Sequence, residues 1–300
     1  MRAFLVAVLC VAAALARAAA PADGNARALQ DKYRQLQAGL EGSAFGRPLL
    51  LDSRQAPSEV AGDAYAVLDQ PFAKAAAALA QPSNWCAILL LPFNTKQCVA
   101  ARGRGKEAGE TVLEVRIGRK SDQSAADAYP VSFRYHVDGL STELLNVSLS
   151  AKEGPLSTRD YRIALEATPL PGDRTFLHFS YAYGFGLAGR LAMQAYLGTV
   201  GASKVGFTVT GKDAEGQPRY VDGMRGVIER NTMRYYLAIE AFLGAMDAGA
   251  DRSAKAARDW FAATERYPRQ LHEMDEAEYL AMKRKEYARQ AQAAERAPGT

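Results

Sequence analysis

Six segments between residues 113 and 209 alternate apolar and polar side chains with a period of two. Such alternation is typical of strands with one face in the core and the other in water, and strands of that kind belong to antiparallel sheets. Turn sequences such as Asp138-Gly139 and Pro171-Gly172-Asp173 suit direct hairpin connections. The predicted strands are 113–117, 131–137, 145–149, 161–167, 177–183 and 205–209. We therefore predict an α+β fold built on an antiparallel sheet with one apolar face.

A long helix over 226–246 is the best candidate to cover that face. Its apolar residues recur every three or four positions and form a stripe wide enough to lie in a curved sheet. The stripe consists of Ile228, Asn231/Thr232, Tyr235, Ile239, Phe242 and Met246. The sheet face that it should cover carries Phe133, Tyr135, Leu165, Phe179 and Phe207. Beside the stripe, Glu229, Arg230 and Arg234 are expected to form ion pairs within the helix or with the sheet.

Other periodic segments suggest how the rest of the chain is organised. An amphipathic N-terminal helix and a connector occupy 21–62, and the sheet domain with its covering helix is predicted over 63–250. That domain begins with a strand at 63–69 and two short helices between Pro71 and Pro92. Residues 251–300 are predicted to form a separate helical extension, because the pattern there is broken at Pro268 and restarts with a capping-box-like Asp275-x-x-Glu278.

The glycines at 184, 186 and 189 have the spacing of a dinucleotide-binding turn. That turn needs parallel strands joined by helical crossovers, whereas the preceding predicted strands have no helix between them. We interpret the motif instead as the end of a strand, followed by an apolar helical insertion over 187–197. We expect this insertion to be a movable cover for the sheet.

The first twenty residues have the order of a secretory signal: a positive charge, an apolar stretch, and small residues before Pro21. We therefore expect a periplasmic or secreted protein. Cys86 and Cys98 lie twelve residues apart in the remaining chain, and an oxidising compartment favours a disulfide between them over a metal site.

Charge and residue usage argue against several other functions. The chain has 37 basic and 33 acidic residues, with no basic block before the C-terminal tail, so a nucleic-acid partner has no electrostatic support. Its three histidines are scattered, and we expect neither a metal site nor a cofactor. It has no Gly-x-Ser-x-Gly nucleophile elbow.

The order of the predicted elements resembles the START-like, or helix-grip, superfamily, which includes lipid-transfer START domains and polyketide cyclases. The resemblance covers about residues 60–246: a strand, two short helices, a run of antiparallel strands and a long C-terminal helix. It implies a sheet that grips a helix, with a cavity between them for an apolar or amphipathic ligand.

Five residues are candidates for contact with that ligand: Tyr181, Tyr183, Asn231, Thr232 and Tyr235. If the alternation places Tyr181 and Tyr183 on the apolar face of the sheet, their hydroxyls would need hydrogen-bond partners there. Asn231 and Thr232 are polar residues on an otherwise apolar stripe, so they either meet a ligand or are satisfied locally near the start of the helix.

These observations favour an exported protein that binds a lipid-like or other apolar small molecule, with possible peripheral contact with a membrane. Two alternatives stay open. The same cavity could serve a cyclase-like enzyme, or the helices of 251–300 could dock a protein partner in an assembly role.

Overall fold

The computed structural model describes residues 22–103, 105, 108–187, 189–191 and 204–296. The helices are α1 (Ala22–Glu41), α2 (Phe72–Leu79), α3 (Pro82–Leu89), α4 (Gly223–Gly244), α5 (Arg252–Thr264), α6 (Pro268–Leu271) and α7 (Glu276–Arg296). The strands are β1 (Leu49–Ala56), β2 (Glu59–Leu68), β3 (Thr95–Arg102), β4 (Thr111–Ile117), β5 (Tyr129–Leu140), β6 (Leu145–Glu153), β7 (Thr158–Leu170), β8 (Arg174–Phe185), β9 (Val209–Lys212) and β10 (Pro218–Tyr220). The predicted signal segment 1–20 lies outside the described residues.

Eight strands form one sheet in the order β1-β2-β8-β7-β6-β5-β4-β3, and every neighbouring pair is antiparallel. The period-two pattern therefore predicted β4 to β8 correctly. The long helix α4 packs on β1, β2 and β8, and its other side meets α3 and α5. A sheet wrapped around a C-terminal helix is the α+β helix-grip fold, and that prediction is confirmed.

The core lies between α4 and the sheet face that the period-two alternation predicts to be apolar. Phe133, Tyr135, Leu165 and Phe179 are buried there in one cluster with Phe242 of α4. On the opposite face of the sheet, α1 forms a smaller cluster with Val67 and Phe176, among others. The sheet is thus covered on both faces near β2 and β8.

The sixth predicted strand, 205–209, does not join the sheet, and that prediction was wrong. Instead, β9 and β10 form a separate two-stranded hairpin. The buried carboxylate of Glu229 accepts hydrogen bonds from the backbone N–H groups of Phe207 and Thr208, the latter at 2.9 Å. Because a carboxylate takes these donors, they are not available to a strand neighbour. Phe207 consequently packs at the edge of the core as a partly buried residue.

The segment predicted as a connector, 42–62, contains β1 and the first residues of β2. All eight residues of β1 pair with β2, from Leu49 opposite Ala66 to Ala56 opposite Glu59. β1 lies at the end of the sheet, and its second half is largely exposed and polar. An edge strand of this kind has little hydrophobic alternation, which is why the sequence pattern did not reveal it.

The predicted C-terminal extension is not a separate unit, because it shares the main core. Trp260 of α5 and Tyr279 of α7 are fully buried, with ring centroids 5.0 and 5.3 Å from that of Phe93. The Trp260 indole also donates to the backbone oxygen of Arg234 on α4 at 3.0 Å. The helix faces that carry Trp260 and Tyr279 therefore pack within the chain.

A buried group of three charged residues, Lys96, Lys283 and Glu286, holds α7 in place. The two carboxylate oxygens of Glu286 lie 2.9 Å from Lys96 Nζ and 2.7 Å from Lys283 Nζ. Lys283 also donates to the backbone oxygens of Leu90 and Pro92, at 2.7 and 2.8 Å. Burial lowers the pKa of Lys283 to about 8, against the raising effect of Glu286. Buried charges require such complete pairing.

Two further contacts join α3, β3 and α7. A disulfide links Cys86 of α3 to Cys98 of β3, as predicted, with their Cα atoms 5.1 Å apart. The side-chain amide of Gln290 on α7 then bonds both backbone groups of Cys98: its oxygen accepts from the N–H at 3.1 Å, and its nitrogen donates to the carbonyl oxygen. In the described part of the chain, no helix is long and apolar enough to span a bilayer.

The close approach of α4 to β2 depends on Gly62. A Cβ atom at this position would overlap Thr232 Oγ1 and lie 3.4 Å from Ile228 Cγ1. The position therefore has no room for a side chain, and the helix lies against the bare backbone of β2.

We predict that Gly62→Ala destabilises the protein by about 1–3 kcal/mol, the usual cost of overpacking a core. Urea unfolding would measure the loss. Thr232→Ala removes the hydroxyl that the new methyl group would meet, so the Gly62→Ala/Thr232→Ala double variant should recover part of it. Additive effects of the two changes would contradict this contact.

Loss of the disulfide should also be measurable. A bond that closes a loop this short stabilises by about 3 kcal/mol in the chain-entropy description, so reductant should lower the unfolding midpoint. A Cys86→Ala/Cys98→Ala variant should show a lowered midpoint that reductant does not change. Peptide mapping that finds both thiols free in protein purified from an oxidising compartment would rule the bond out.

Candidate functional site

Four tyrosines form a contiguous cluster on the inner face of the sheet beneath α4. Tyr181 and Tyr183 alternate inward on β8, Tyr161 comes from the adjacent strand β7, and Tyr235 comes from α4. Ring centroids are 5.4 Å apart for Tyr161 and Tyr183, and 5.3 Å apart for Tyr181 and Tyr235. We call these four residues the tyrosine cluster. It includes three of the five candidates from the sequence.

The hydroxyl groups of the buried tyrosines differ in their hydrogen bonding. Six tyrosines in the described residues are buried: Tyr135, Tyr161, Tyr181, Tyr183, Tyr236 and Tyr279. Four of the six have a hydrogen-bond partner in the protein, for example the Leu91 oxygen 2.9 Å from the Tyr279 hydroxyl. Tyr181 and Tyr183 make no side-chain hydrogen bond within the described residues, nor does the partly buried Tyr235. Their hydroxyl oxygens are not among the fully buried polar atoms that lack a partner, so water or a ligand can reach them.

The three phenols are hydrogen-bond donors at neutral pH. Burial raises the pKa of Tyr181 well above its ordinary value, and it raises the pKa of Tyr183 and Tyr235 as well. Neighbouring tyrosines add to the effect, while the charges of Arg230 and Arg234 oppose it at Tyr183 and Tyr235 respectively. Each phenol therefore keeps its proton and can donate it to an acceptor.

Thr232 and Asn231 differ in their surroundings. Thr232 is fully buried against Gly62, which pairs with Tyr181 across β2 and β8. Its hydroxyl oxygen has no partner among the described residues, so it is a further unsatisfied polar atom next to the tyrosine cluster. Asn231 is half-buried on α4 and makes no hydrogen bond with the described residues. Whether Asn231 and Thr232 meet a ligand stays a prediction.

A group of charged residues that the sequence did not bring together lies around Glu273. Lys120 Nζ is 2.6 Å from Glu273 Oε1, and Arg234 of α4 donates to the same oxygen. Lys204 donates to the backbone oxygen of His272. We call Lys120, Lys204, Arg230, Arg234 and Glu273 the basic cluster. Its members are distant in sequence, so no local spacing could have revealed it.

Glu229 forms the predicted ion pair within the helix, with Arg225, whereas Arg234 pairs with Glu273 beyond the sheet. Glu229 is fully buried, accepts from Ser53 Oγ at 2.5 Å, and lies 3.9 Å from the guanidinium of Arg225. Arg230 and Arg234 are 3% and 6% exposed. Their charges therefore act in the protein interior, beside the tyrosine cluster, where solvent screens them weakly.

A pocket of about 470 Å³ lies elsewhere, between α4, α5 and the end of β2. Its wall includes Arg47, Glu240 and Asp259. Arg47 pairs with Glu240, and Asp259 pairs with Lys255. Asp69 and Arg266 also line the pocket. Within the described residues, no group of three or more histidine, cysteine or acidic side chains could hold a metal ion.

On the outer face of the sheet, His178 lies between two carboxylates. Its Nε2 is 2.9 Å from Asp63 Oδ1, its Nδ1 is 3.2 Å from Glu166 Oε2, and its ring stacks on Tyr65. Burial opposes protonation, but the two carboxylates outweigh it and raise the pKa of His178. The group lies on the outer face, and the sheet separates it from the tyrosine cluster.

Comparisons with known proteins give no family assignment. No protein-family model matches the chain, and no curated protein matches it. A mutant of norcoclaurine synthase from Thalictrum flavum is 14% identical over 49% of this chain and 91% of its own, with a TM-score of 0.34. Human StAR-related lipid transfer protein 5 is 10% identical over 59% of this chain and 89% of its own, with a TM-score of 0.31. CalU16 from Micromonospora echinospora is 10% identical over 72% of this chain and 96% of its own, with a TM-score of 0.30.

These likenesses are weak, and we base no functional argument on them. The assignment of the helix-grip fold follows from the strand order and the position of α4.

The unsatisfied phenols predict an unusual response to mutation. In ligand-free protein, Tyr181→Phe should leave the free energy of unfolding unchanged or raise it, because the lost hydroxyl made no hydrogen bond. Tyr279→Phe should instead lower it by about 0.5–1.5 kcal/mol, since it removes a bond to Leu91. Urea unfolding of the two variants beside the parent tests this pair, and an equal loss in both would show that Tyr181 has a partner within the protein.

Proposed function

We propose that this protein binds an apolar small molecule with a polar end, held between the sheet and α4 at the tyrosine cluster. The observation that carries the proposal is the contrast among the buried tyrosines. Four hydroxyls are satisfied within the chain, whereas Tyr181 and Tyr183 are buried residues whose hydroxyls make no hydrogen bond among the described residues. A polar ligand atom that accepts from either phenol would supply a hydrogen bond that the chain does not make.

The walls around the two phenols suit an apolar ligand body. Tyr181 lies among other aromatic rings: Phe179 precedes it by one inward position on β8, and Tyr161 and Tyr235 contact it from β7 and α4. Specific small-molecule sites combine such apolar walls with a few polar groups that fix orientation.

Two parts of the proposal extend beyond the described residues. The cover predicted over 187–197 lies largely outside them, so its movement stays a prediction. Export to the periplasm or the outside of the cell also stays a proposal. The residue pattern of 1–20 supports it, and so does the disulfide between Cys86 and Cys98, since structural disulfides are rare in reducing compartments.

Ligand binding can be tested by titrating delipidated protein with two fluorescent long-chain probes, a fatty acid and the corresponding fatty alcohol. At least one should bind saturably at one site per chain. Tyr181→Phe and Tyr183→Phe should each lower the affinity for the probe that binds by about 2- to 12-fold. This factor corresponds to the loss of one hydrogen bond of about 0.5–1.5 kcal/mol.

Tyr279→Phe is the matched control, because it removes a buried phenol hydroxyl beneath α7 and should leave the affinity unchanged. Circular dichroism should confirm that all three variants are folded. If neither probe binds the parent protein, or if all three variants bind like the parent, the proposed site is wrong.

A further inference from the structure

The pocket between α4, α5 and the end of β2 lies on the side of α4 that faces away from the tyrosine cluster. Leu237, Ala241 and Gly244 of α4 line it. At 3.6 residues per turn, these positions lie roughly half a turn around the helix from Tyr235. The pocket is therefore separate from the site proposed between the sheet and the helix.

Part of the pocket wall is apolar. Leu68, Leu237 and Leu243 line the pocket and are buried. The pocket volume of about 470 Å³ is within the range of about 300–1,000 Å³ that is usual for small-molecule sites. An apolar ligand group that covers these leucines would displace water from them, which favours binding.

Gly244 leaves space in the pocket that another residue would fill. A Cβ atom at this position would meet no other atom within 4 Å, and the backbone there is not in the left-handed region. Neither packing nor backbone conformation therefore requires glycine at this last residue of α4. Because Gly244 lines the pocket, its lack of a side chain keeps the pocket open.

Charged residues of both signs line the same pocket: Arg47, Asp69, Glu240, Asp259 and Arg266. Three of the five form ion pairs within the protein. The side chains of Asp69 and Arg266, in contrast, make no hydrogen bond or ion pair with the described residues, and so they do not pair with each other. Asp69 follows β2 and Arg266 follows α5. One negative and one positive charge therefore line the pocket from different elements, and each can accept a partner from a ligand.

We propose that this pocket binds a small zwitterion with an apolar body, a class that includes free amino acids with apolar side chains. The ammonium group of the ligand pairs with Asp69, its carboxylate pairs with Arg266, and its apolar body lies on Leu68, Leu237 and Leu243. A zwitterion suits two opposite charges that do not pair with each other, because it gives each of them a partner at once. This second site does not depend on the function proposed for the tyrosine cluster.

The test compares three probes that share a phenylethyl body: L-phenylalanine, which is zwitterionic, 2-phenylethylamine, which is cationic, and 3-phenylpropanoate, which is anionic. In isothermal titration calorimetry at neutral pH, L-phenylalanine should bind at one site per chain and more tightly than the other two. The lack of one charge should weaken binding by about 2- to 5-fold, the range of a partly exposed ion pair. Added salt should reduce this difference, because it screens exposed charges.

Substitutions then assign each charge of the ligand to a residue. Asp69→Asn should weaken L-phenylalanine and the amine but not the propanoate, whereas Arg266→Gln should weaken L-phenylalanine and the propanoate but not the amine. Gly244→Leu should fill the pocket and abolish binding of all three probes without lowering the thermal unfolding midpoint. Arg258→Gln, which removes an exposed arginine of α5 that does not line the pocket, is the control and should bind like the parent protein.

Tyr181→Phe separates this pocket from the tyrosine cluster, because it should leave the affinity for L-phenylalanine unchanged. If Tyr181→Phe weakens L-phenylalanine and Gly244→Leu does not, the probe binds at the tyrosine cluster and this inference is wrong. It is also wrong if none of the three probes binds, or if all three bind equally. None of these results affects the function proposed above, which is tested with long-chain probes.

Discussion

A helix can lie inside a curved sheet only where the sheet leaves space for it, and in this protein that space is at Gly62. The bare backbone of β2 at this position receives Thr232, and the contact fixes both the depth and the rotation of α4. Gly62 pairs with Tyr181 in the sheet, so the same contact places Tyr235, three residues along the helix, against the Tyr181 ring. The geometry of the candidate site is therefore a direct result of how closely the helix approaches the sheet.

Buried carboxylates attach the C-terminal half of the chain to this centre. Glu229 holds the backbone at Phe207 and Thr208, and Glu286 holds two lysines beneath α7. Each carboxylate is costly to bury and is tolerated because several donors satisfy it. Such contacts specify one position for each segment, since a shifted register would leave a charge in the interior without partners.

The sequence predicted those features that depend on local periodicity. Alternation with period two identified β4 to β8 and placed Tyr181 and Tyr183 on the inner face, because side chains on a strand must alternate. It failed at 205–209, where the alternation is real but Glu229 takes the backbone donors. It also treated 251–300 as separate, because the charged pattern of α7 is typical of a solvated helix. Lys283 and Glu286 are nevertheless buried, with Lys96 as a partner nearly two hundred residues away.

The same limit applies to the candidate site. The tyrosine cluster follows largely from one strand and one helix, whereas the basic cluster combines residues of α4 with Lys120, Lys204 and Glu273 from distant loops. Only the packing of the C-terminal segment on α4 brings them together. A sequence pattern can therefore predict such an aromatic cluster more readily than a charged one.

The contact between Gln290 and Cys98 has a consequence for the chain during synthesis. β3 ends the eight-stranded sheet, and the open edge of a sheet can recruit a strand from another molecule. Gln290 bonds the N–H and C=O groups of Cys98 as a neighbouring strand would, and it belongs to the last helix described. A nascent chain that has already formed the sheet therefore keeps this edge unprotected until α7 emerges. During that interval the backbone of Cys98 is open to strand pairing with another molecule, which Gln290 blocks at this position in the finished molecule.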